Sequence, residues 1–272
     1  MPINVIFRYL ILIIAAIIFI FPLYWLITGS FKSQVEIWAV PPNWFPNKFS
    51  FDNYILLFKT KPLVTWIFNS VFTCLATVVF VLLFSAMAGY AYAKKKFPGN
   101  KIWFACVIVT MMMPHQVTLV PLYILCRDLG LIDSYLGLIL PAIAYPFGVF
   151  LIRQFAKSIP DEIIEAATID GAGELRTFAT IILPLLLPAL GALAIFSFMY
   201  TWNDYLWQLI ILQSKAMLTL PLGIATAAYD ENRIDFGIAL TGASIAAVPM
   251  ILFFLMLQRS FVQGITLGSV KG

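Results

Sequence analysis

Residues 165–188 read EAATIDGAGELRTFATIILPLLLP, a segment with two glycines, a row of small residues and several charges that ends in an apolar run broken by two prolines. Its surroundings are of another kind. Of the 272 residues, 62% are hydrophobic and 11% charged, with a mean hydropathy of +0.95, whereas soluble domains carry about a quarter charged residues. That composition specifies a polytopic membrane protein. A polar connection of this length within it calls for an explanation.

Six stretches are apolar over the about 20 helical residues that a hydrocarbon core requires: roughly 10–31, 66–93, 102–125, 135–152, 188–212 and 237–257. The first follows Arg8 but is longer than the roughly 7 to 15 residues of a secretory h-region and lacks a small-residue cleavage site, so it is expected to be retained. The connections are too short for a soluble domain. Cys74, Cys106 and Cys126 are odd in number, without paired short spacing, and read as small apolar side chains rather than a metal or disulfide framework. The net charge of +4 is scattered and meets no run of base-stacking aromatics, which argues against nucleic acid.

Orientation follows from KKKFPGNK, where Lys94, Lys95, Lys96 and Lys101 crowd the short loop between the second and third stretches. The positive-inside bias puts such a loop in the cytoplasm. By parity both termini and the connection at about 157–187 are then cytoplasmic as well.

Within that connection, Ser158-Ile-Pro-Asp161 resembles a capping box, with Ser158 placed to accept from the backbone of Asp161 and Pro160 in the first turn. Helical spacing then puts Ile159, Ile163 and Ala167 on one face and Asp161, Glu162, Glu165 and Thr168 on the other, the pattern of a short helix lying at an interface. Gly171 and Gly173 permit a sharp turn, after which Leu175, Phe178, Ala179 and Ile182 restart an apolar face until Pro184. The expectation is a helix, a turn and a second helix.

Glu165-Ala166-Ala167, Gly171 after three residues, and Ile181-x-Leu183-Pro184 after nine more match the EAA signature of ABC-importer permeases. The likeness extends along nearly the whole chain, through FPLYWLITGSFKS, PPNWFPNKFSFDNY, FNS, AYAKKKFPG, MMMPHQVTLVPLY, GLIDSYLGLILP, WNDYLW and FVQGITLGSVKG. The chain thus resembles the second permease of maltose-type carbohydrate ABC importers. One departure is Gln208, where many relatives have proline after the tryptophan.

The resemblance implies an all-α permease of the type I importer fold, with six transmembrane helices and a coupling helix built from Glu165, Ala166, Ala167, Asp170 and Gly171. It implies an inner-membrane location amid membrane lipid and three kinds of protein partner: a homologous permease, two ATP-binding subunits that hold ATP and magnesium, and an extracellular sugar-binding protein. A sister branch moves glycerophosphate-type solutes.

The residues themselves agree that the energy comes from elsewhere. No G-x-x-x-x-G-K-[ST] loop is present, no nucleophile-base pair or metal cluster suggests an enzyme, and no cofactor is expected on this chain. A self-sufficient carrier or channel would depend on ionisable groups inside the spans, where only Asp204 and His115 fall clearly. His115, between Pro114 and Gln116, suits an interhelical hydrogen bond or a proton relay. Trp202-Asn203-Asp204-Tyr205 combines aromatic, amide and carboxylate groups, the mixture of a sugar pathway or of polar glue within a bundle.

Small residues at four-residue spacing, Ser85, Gly89 and Ala93, and again Ala239, Ala243 and Ala247, predict close helix packing. Asp230, Glu231, Arg233 and Asp235 form a charged outer loop suited to docking a binding protein or to simple solvation.

Overall fold

The computed structural model describes residues 3–230 and 233–269. The order is α1 (Ile3–Ser30), α2 (Gln34–Ile37), α3 (Asp52–Thr60), α4 (Leu63–Lys94), α5 (Asn100–Met112), α6 (His115–Asp128), α7 (Tyr135–Ile143) and α8 (Pro146–Ser158). There follow α9 (Asp161–Ile169), α10 (Glu174–Thr177), a π-helical turn (Phe178–Ile182), α11 (Leu183–Leu185), α12 (Leu187–Trp202), α13 (Leu206–Ile211), α14 (Leu220–Ala228) and α15 (Phe236–Ser269). Between the last two, β1 (Tyr229–Asp230) and β2 (Arg233–Ile234) pair antiparallel, the one sheet among the described residues. Apart from this two-residue pairing, the all-α class that the resemblance implies holds among the described residues.

By length and composition α1, α4, the stretch Tyr135–Ser158 and α15 are each able to cross a bilayer. The expected third span is not a straight helix, and the expected fifth begins just after a sharp bend. Helices α5 and α6 meet at 103° across Met113 and Pro114, and Glu174–Leu185 meets α12 at 75°, so four spans become six when each bent pair counts as one. Proline explains both bends, because Pro114, Pro184 and Pro188 lack the N–H that would continue the hydrogen-bond ladder. The stretch expected at 188–212 also stops at Trp202, and a short break separates α12 from α13.

The chain forms two compact units, one of residues up to 67 with 218–249, the other of residues 68–217 with those from 250 onward. In the first, α1 is tied at its C-terminal end. Asn53 donates to the carbonyls of Ser30 and Lys32 at 3.1 and 2.9 Å, and the Ser30 hydroxyl meets that of Tyr54 at 2.8 Å. Lys32 is buried, donating to Asn43 O at 2.5 Å with its ammonium 4.3 Å from the Trp25 ring centre, so its charge is met by a carbonyl and a π face instead of water. On α15 the tightest approach is at Gly242, where an added Cβ would lie 2.4 Å from Ile224. Ala239, Ala243 and Ala247 are only half-buried, so the expected alanine seam is displaced around the helix.

In the second unit, Val81, Ala86 and Tyr90 of α4 pack with Ile152 and Ala156 of α8 and with Ile182, Leu186, Ala189 and Leu193. Here the small-residue expectation holds. A Cβ on Gly89 would lie 2.7 Å from that of Ile152, and one on Gly148 would lie 2.4 Å from Ser85 Oγ, so α4 and α8 touch at both levels. The loop before α7 is held by Asp133, in the left-handed region at φ 53°, whose carboxylate accepts from the backbone N–H groups of Gln213 and Ser214 at 2.9 and 3.1 Å. Partial burial pushes its pKa up, but the hydrogen bonds from Gln213 and Ser214 outweigh that and hold it below the ordinary aspartate value.

Two outcomes are expected. Gly148→Ala should destabilise the chain by about 1 to 3 kcal/mol through overpacking, and adding Ser85→Gly should recover part of that loss in detergent melting experiments. Because Asp133 titrates lower folded than unfolded, its stabilising effect is present at neutral pH and fades as the pH falls through its folded value. Asp133→Asn should flatten that acid limb of a melting-temperature profile.

Candidate functional site

The segment quoted at the outset lies almost wholly on the connection from α8 to α12. Helix α9 starts at Asp161 after Pro160, with Asp161 and Glu162 in the first turn, where carboxylates meet the positive end of the dipole. Ser158 does not form the expected cap. Its hydroxyl donates back to Phe155 O at 2.8 Å, and no side chain caps α9, because Ser158 still belongs to the last turn of α8.

The end of α9 is a Schellman motif. Ala172 N donates to Ala167 O at 2.9 Å and Gly171 N to Thr168 O at 3.0 Å, with Gly171 at φ +77°. Gly171 therefore supplies the left-handed residue the turn requires, while Gly173 has an ordinary φ of −67° at the start of α10.

Burial divides α9 as the spacing predicts, whereas on the expected second face Ile182 is buried and Phe178 half-buried but Leu175 and Ala179 are exposed. Ile159 and Ala167 are buried and Ile163 half-buried, while Asp161, Glu162, Glu165 and Thr168 are exposed. Ala166, Asp170 and Gly171 are exposed too. Beside them two large apolar side chains stand out, Ile169 at 86% and Leu175 at 81% exposure, so the tip offers apolar as well as acidic surface.

Two lysines hold this loop from below, in a role the sequence reading did not assign. Lys94 donates to Ile159 O and pairs with Asp161 at 2.6 Å, and Lys95 pairs with Glu174 at 2.5 Å. One lysine thus grips the start of α9 and the next the start of α10. The signal was available in the adjacency of Lys94-Lys95 and in acids placed at both helix starts, but sequence spacing alone does not pair them.

A second candidate lies where helices break. A cavity of about 280 Å³ is lined by His115, Gln116, Pro141, Tyr200, Asp204 and Trp207, among others, and a neighbour of about 250 Å³ shares His115 and Tyr200 and adds Tyr145. Tyr200 Oη lies 3.1 Å from His115 Nε2, and the Tyr145 and Tyr200 rings are 5.5 Å apart. Asp204 also accepts from Trp207 N at 3.2 Å, holding the first turn of α13.

The sequence candidates divide here. His115 and Asp204 line one cavity, whereas Trp202 is buried against Phe198 with ring centres 5.4 Å apart, and Asn203 donates to Met199 O at 2.8 Å on its own helix. Tyr200, Gln116 and Tyr145 were missed. Tyr200 lies in the last turn of α12 and Asp204 in the break just beyond it, so the two meet at the end of one helix.

At the charged loop, Glu231 lies outside the described residues, as do the side chains of Asp230 and Arg233. Asp235 accepts from Ile238 N at 2.9 Å at the start of α15 and from the Gln34 side chain.

Among solved structures, the chain is similar to a component of a bacterial ABC transporter involved in the import of the acidic polysaccharide alginate, with a TM-score of 0.83, 23% identity and coverage of 95% of this chain and 96% of that one. The arabinooligosaccharides transport system permease protein AraQ of Bacillus subtilis is 40% identical over 262 residues, 94% of this chain and 92% of the relative. The maltodextrin transport system permease protein MdxG of the same organism is 33% identical over 271 residues, 99% and 97% of the two chains. The sn-glycerol-3-phosphate transport system permease protein UgpE of Brucella abortus is 32% identical over 272 residues. Residues 81–266 match the family model for the binding-protein-dependent transport system inner membrane component. By that match, and by relatives aligned over almost its full length, the chain belongs to the family of inner-membrane components of binding-protein-dependent transport systems, the permeases of ABC importers.

Proposed function

We propose that this permease takes up a sugar or oligosaccharide handed over by an extracellular binding protein, pairs with a homologous permease, and is driven by two ATPase subunits, one of which grips the α9 loop from the cytoplasm. The observation that carries the coupling role is the build of that loop. A short helix is closed by a Schellman turn, fastened at both helix starts by Lys94 and Lys95, and presents Glu165, Ala166, Ile169 and Asp170 outward. A fastened projection transmits force, and small plus apolar residues at its tip suit a groove on a partner. The lysine-rich loop stands beside it through these ion pairs, so the positive-inside bias favours a cytoplasmic position for both.

Two observations favour a sugar over a glycerophosphate. The relatives named for arabinooligosaccharides stand at 40% identity and those named for lactose and maltodextrin at 33% each, while a glycerol-3-phosphate permease stands at 32%. The cavities at His115 are lined by tyrosines, amide and one carboxylate, with no Lys or Arg among the lining residues. A phosphate monoester would call for a cation there, whereas a neutral polyol is met by aromatic faces and hydrogen bonds. Discontinuous helices at membrane depth are tolerated where they line such a cavity.

The assembly is tested with the complete transporter in vesicles. Glu165→Ala should lower transport-coupled ATP hydrolysis about tenfold, the scale of one charge-assisted hydrogen bond, and unchanged hydrolysis would remove Glu165 from the interface. Gly171→Ala should cost about 1 to 2 kcal/mol of strain in the turn, since nothing lies within 4 Å of the added methyl, and Gly171→Asn should be milder. Tyr200→Phe should weaken uptake with assembly intact, read as a raised KM for sugar. Uphill uptake by the chain reconstituted alone would instead favour a self-sufficient carrier.

A further inference from the structure

We infer that the groove beside the lysine loop binds the headgroup of an anionic phospholipid. Residues 97–100, Phe-Pro-Gly-Asn, close a turn in which Asn100 N donates to Phe97 O at 3.3 Å and Gly99 sits at φ 78°, ψ 4°, the second corner of a type II turn with proline at the first. The Asn100 side chain donates to Lys95 O at 2.9 Å. This turn folds KKKFPGNK back on itself, so that Lys95, Lys96 and Lys101 line one groove of about 580 Å³ together with Arg153 of α8.

The charge in that groove is unbalanced. Among the described residues, Lys95 pairs with Glu174, but no ion pair joins Lys96, Lys101 or Arg153. Arg153 is held in place by donating to Tyr92 O at 3.3 Å and by lying 3.6 Å over the Phe104 ring. The thirteen-residue α5 begins at the groove without a side-chain cap, adding the positive end of its dipole.

What surrounds the cations identifies the ligand's other half. Phe97, Ile102 and Trp103 stand 38%, 70% and 60% exposed around the groove and along the first turn of α5, the position of an aromatic belt at the headgroup level. A phosphate seated among the lysines would leave acyl chains against this apolar flank. A free phosphate uses the cations and leaves the flank idle, so both features together favour a lipid. The inference is independent of cargo and of the ATPase contact.

The test titrates the purified full chain with phosphatidylglycerol or phosphatidylcholine and reads retained lipid by native mass spectrometry. Phosphatidylglycerol should be preferred. The pair Lys96→Gln and Lys101→Gln should weaken its retention about thirtyfold, from about fivefold for each lysine removed near a membrane surface, at unchanged melting temperature. Lys59→Gln with Lys61→Gln, an equal loss of charge at the exposed C-terminal end of α3, should leave it unchanged. Equal retention of phosphatidylcholine, equal loss in both double variants, or full displacement by inorganic phosphate would each overturn the inference.

Discussion

The α9 loop can behave as one rigid body because α4 and α8 come within side-chain reach of each other's backbone. In lipid no hydrophobic force draws two helices together, so their association rests on close packing and on polar contacts. Gly89 admits Ile152 and Gly148 admits Ser85, and that approach sets the last turn of α4 beside the end of α8. Lys94 then reaches both Ile159 O and Asp161. A larger residue at either glycine would separate the helices and carry the lysine away from the loop it holds.

Breaks elsewhere in the second unit serve the opposite end. Each interrupted helix frees backbone groups that lipid cannot solvate, and nearby side chains recover some of them. Asp204 takes the N–H of Trp207 in the first turn of α13. The WNDYLW segment is therefore partly a device for ending one helix and starting the next. Trp202 packs inside, and Asp204, Leu206 and Trp207 line the cavity together with Tyr200 near the end of α12.

The two faces of α9 were legible because they depend on periodicity, which sequence carries directly, while the membrane class came from apolar length and the permease fold from the family resemblance. Gly171 was legible as a turn residue, and its Schellman bonds explain why glycine stands there. The end of the second loop helix at Pro184 and the start of a span at Pro188 were legible from the prolines, whereas the size of the break at Pro114 and the stop at Trp202 were not, because apolar length carries no angle. Ser158 was assigned to the wrong helix, since a serine before a proline serves equally as the last residue of one helix or the cap of another. Lys94 and Lys95 were read only as topology signals. Their pairing with Asp161 and Glu174 joins residues far apart in sequence, and only packing brings them together.

One helix links the two candidate regions. The chain passes from the fastened loop through a π-helical turn and a 75° bend into α12, which carries Tyr200 near its far end. From Leu187 to Tyr200 the rise is about 20 Å. The bend is made by prolines and a π turn, which weaken the ladder locally while α12 itself is packed along most of its length. On the proposed reading, a pull on α9 is therefore delivered to the start of α12 as a change at the bend, and α12 carries it as a rod to the cavity where Tyr200 meets His115. A loop that gave way at Gly171 or at Lys94 would absorb the same pull before it reached the bend, which is why the lysine anchors matter as much to this mechanism as the exposed acids at the tip.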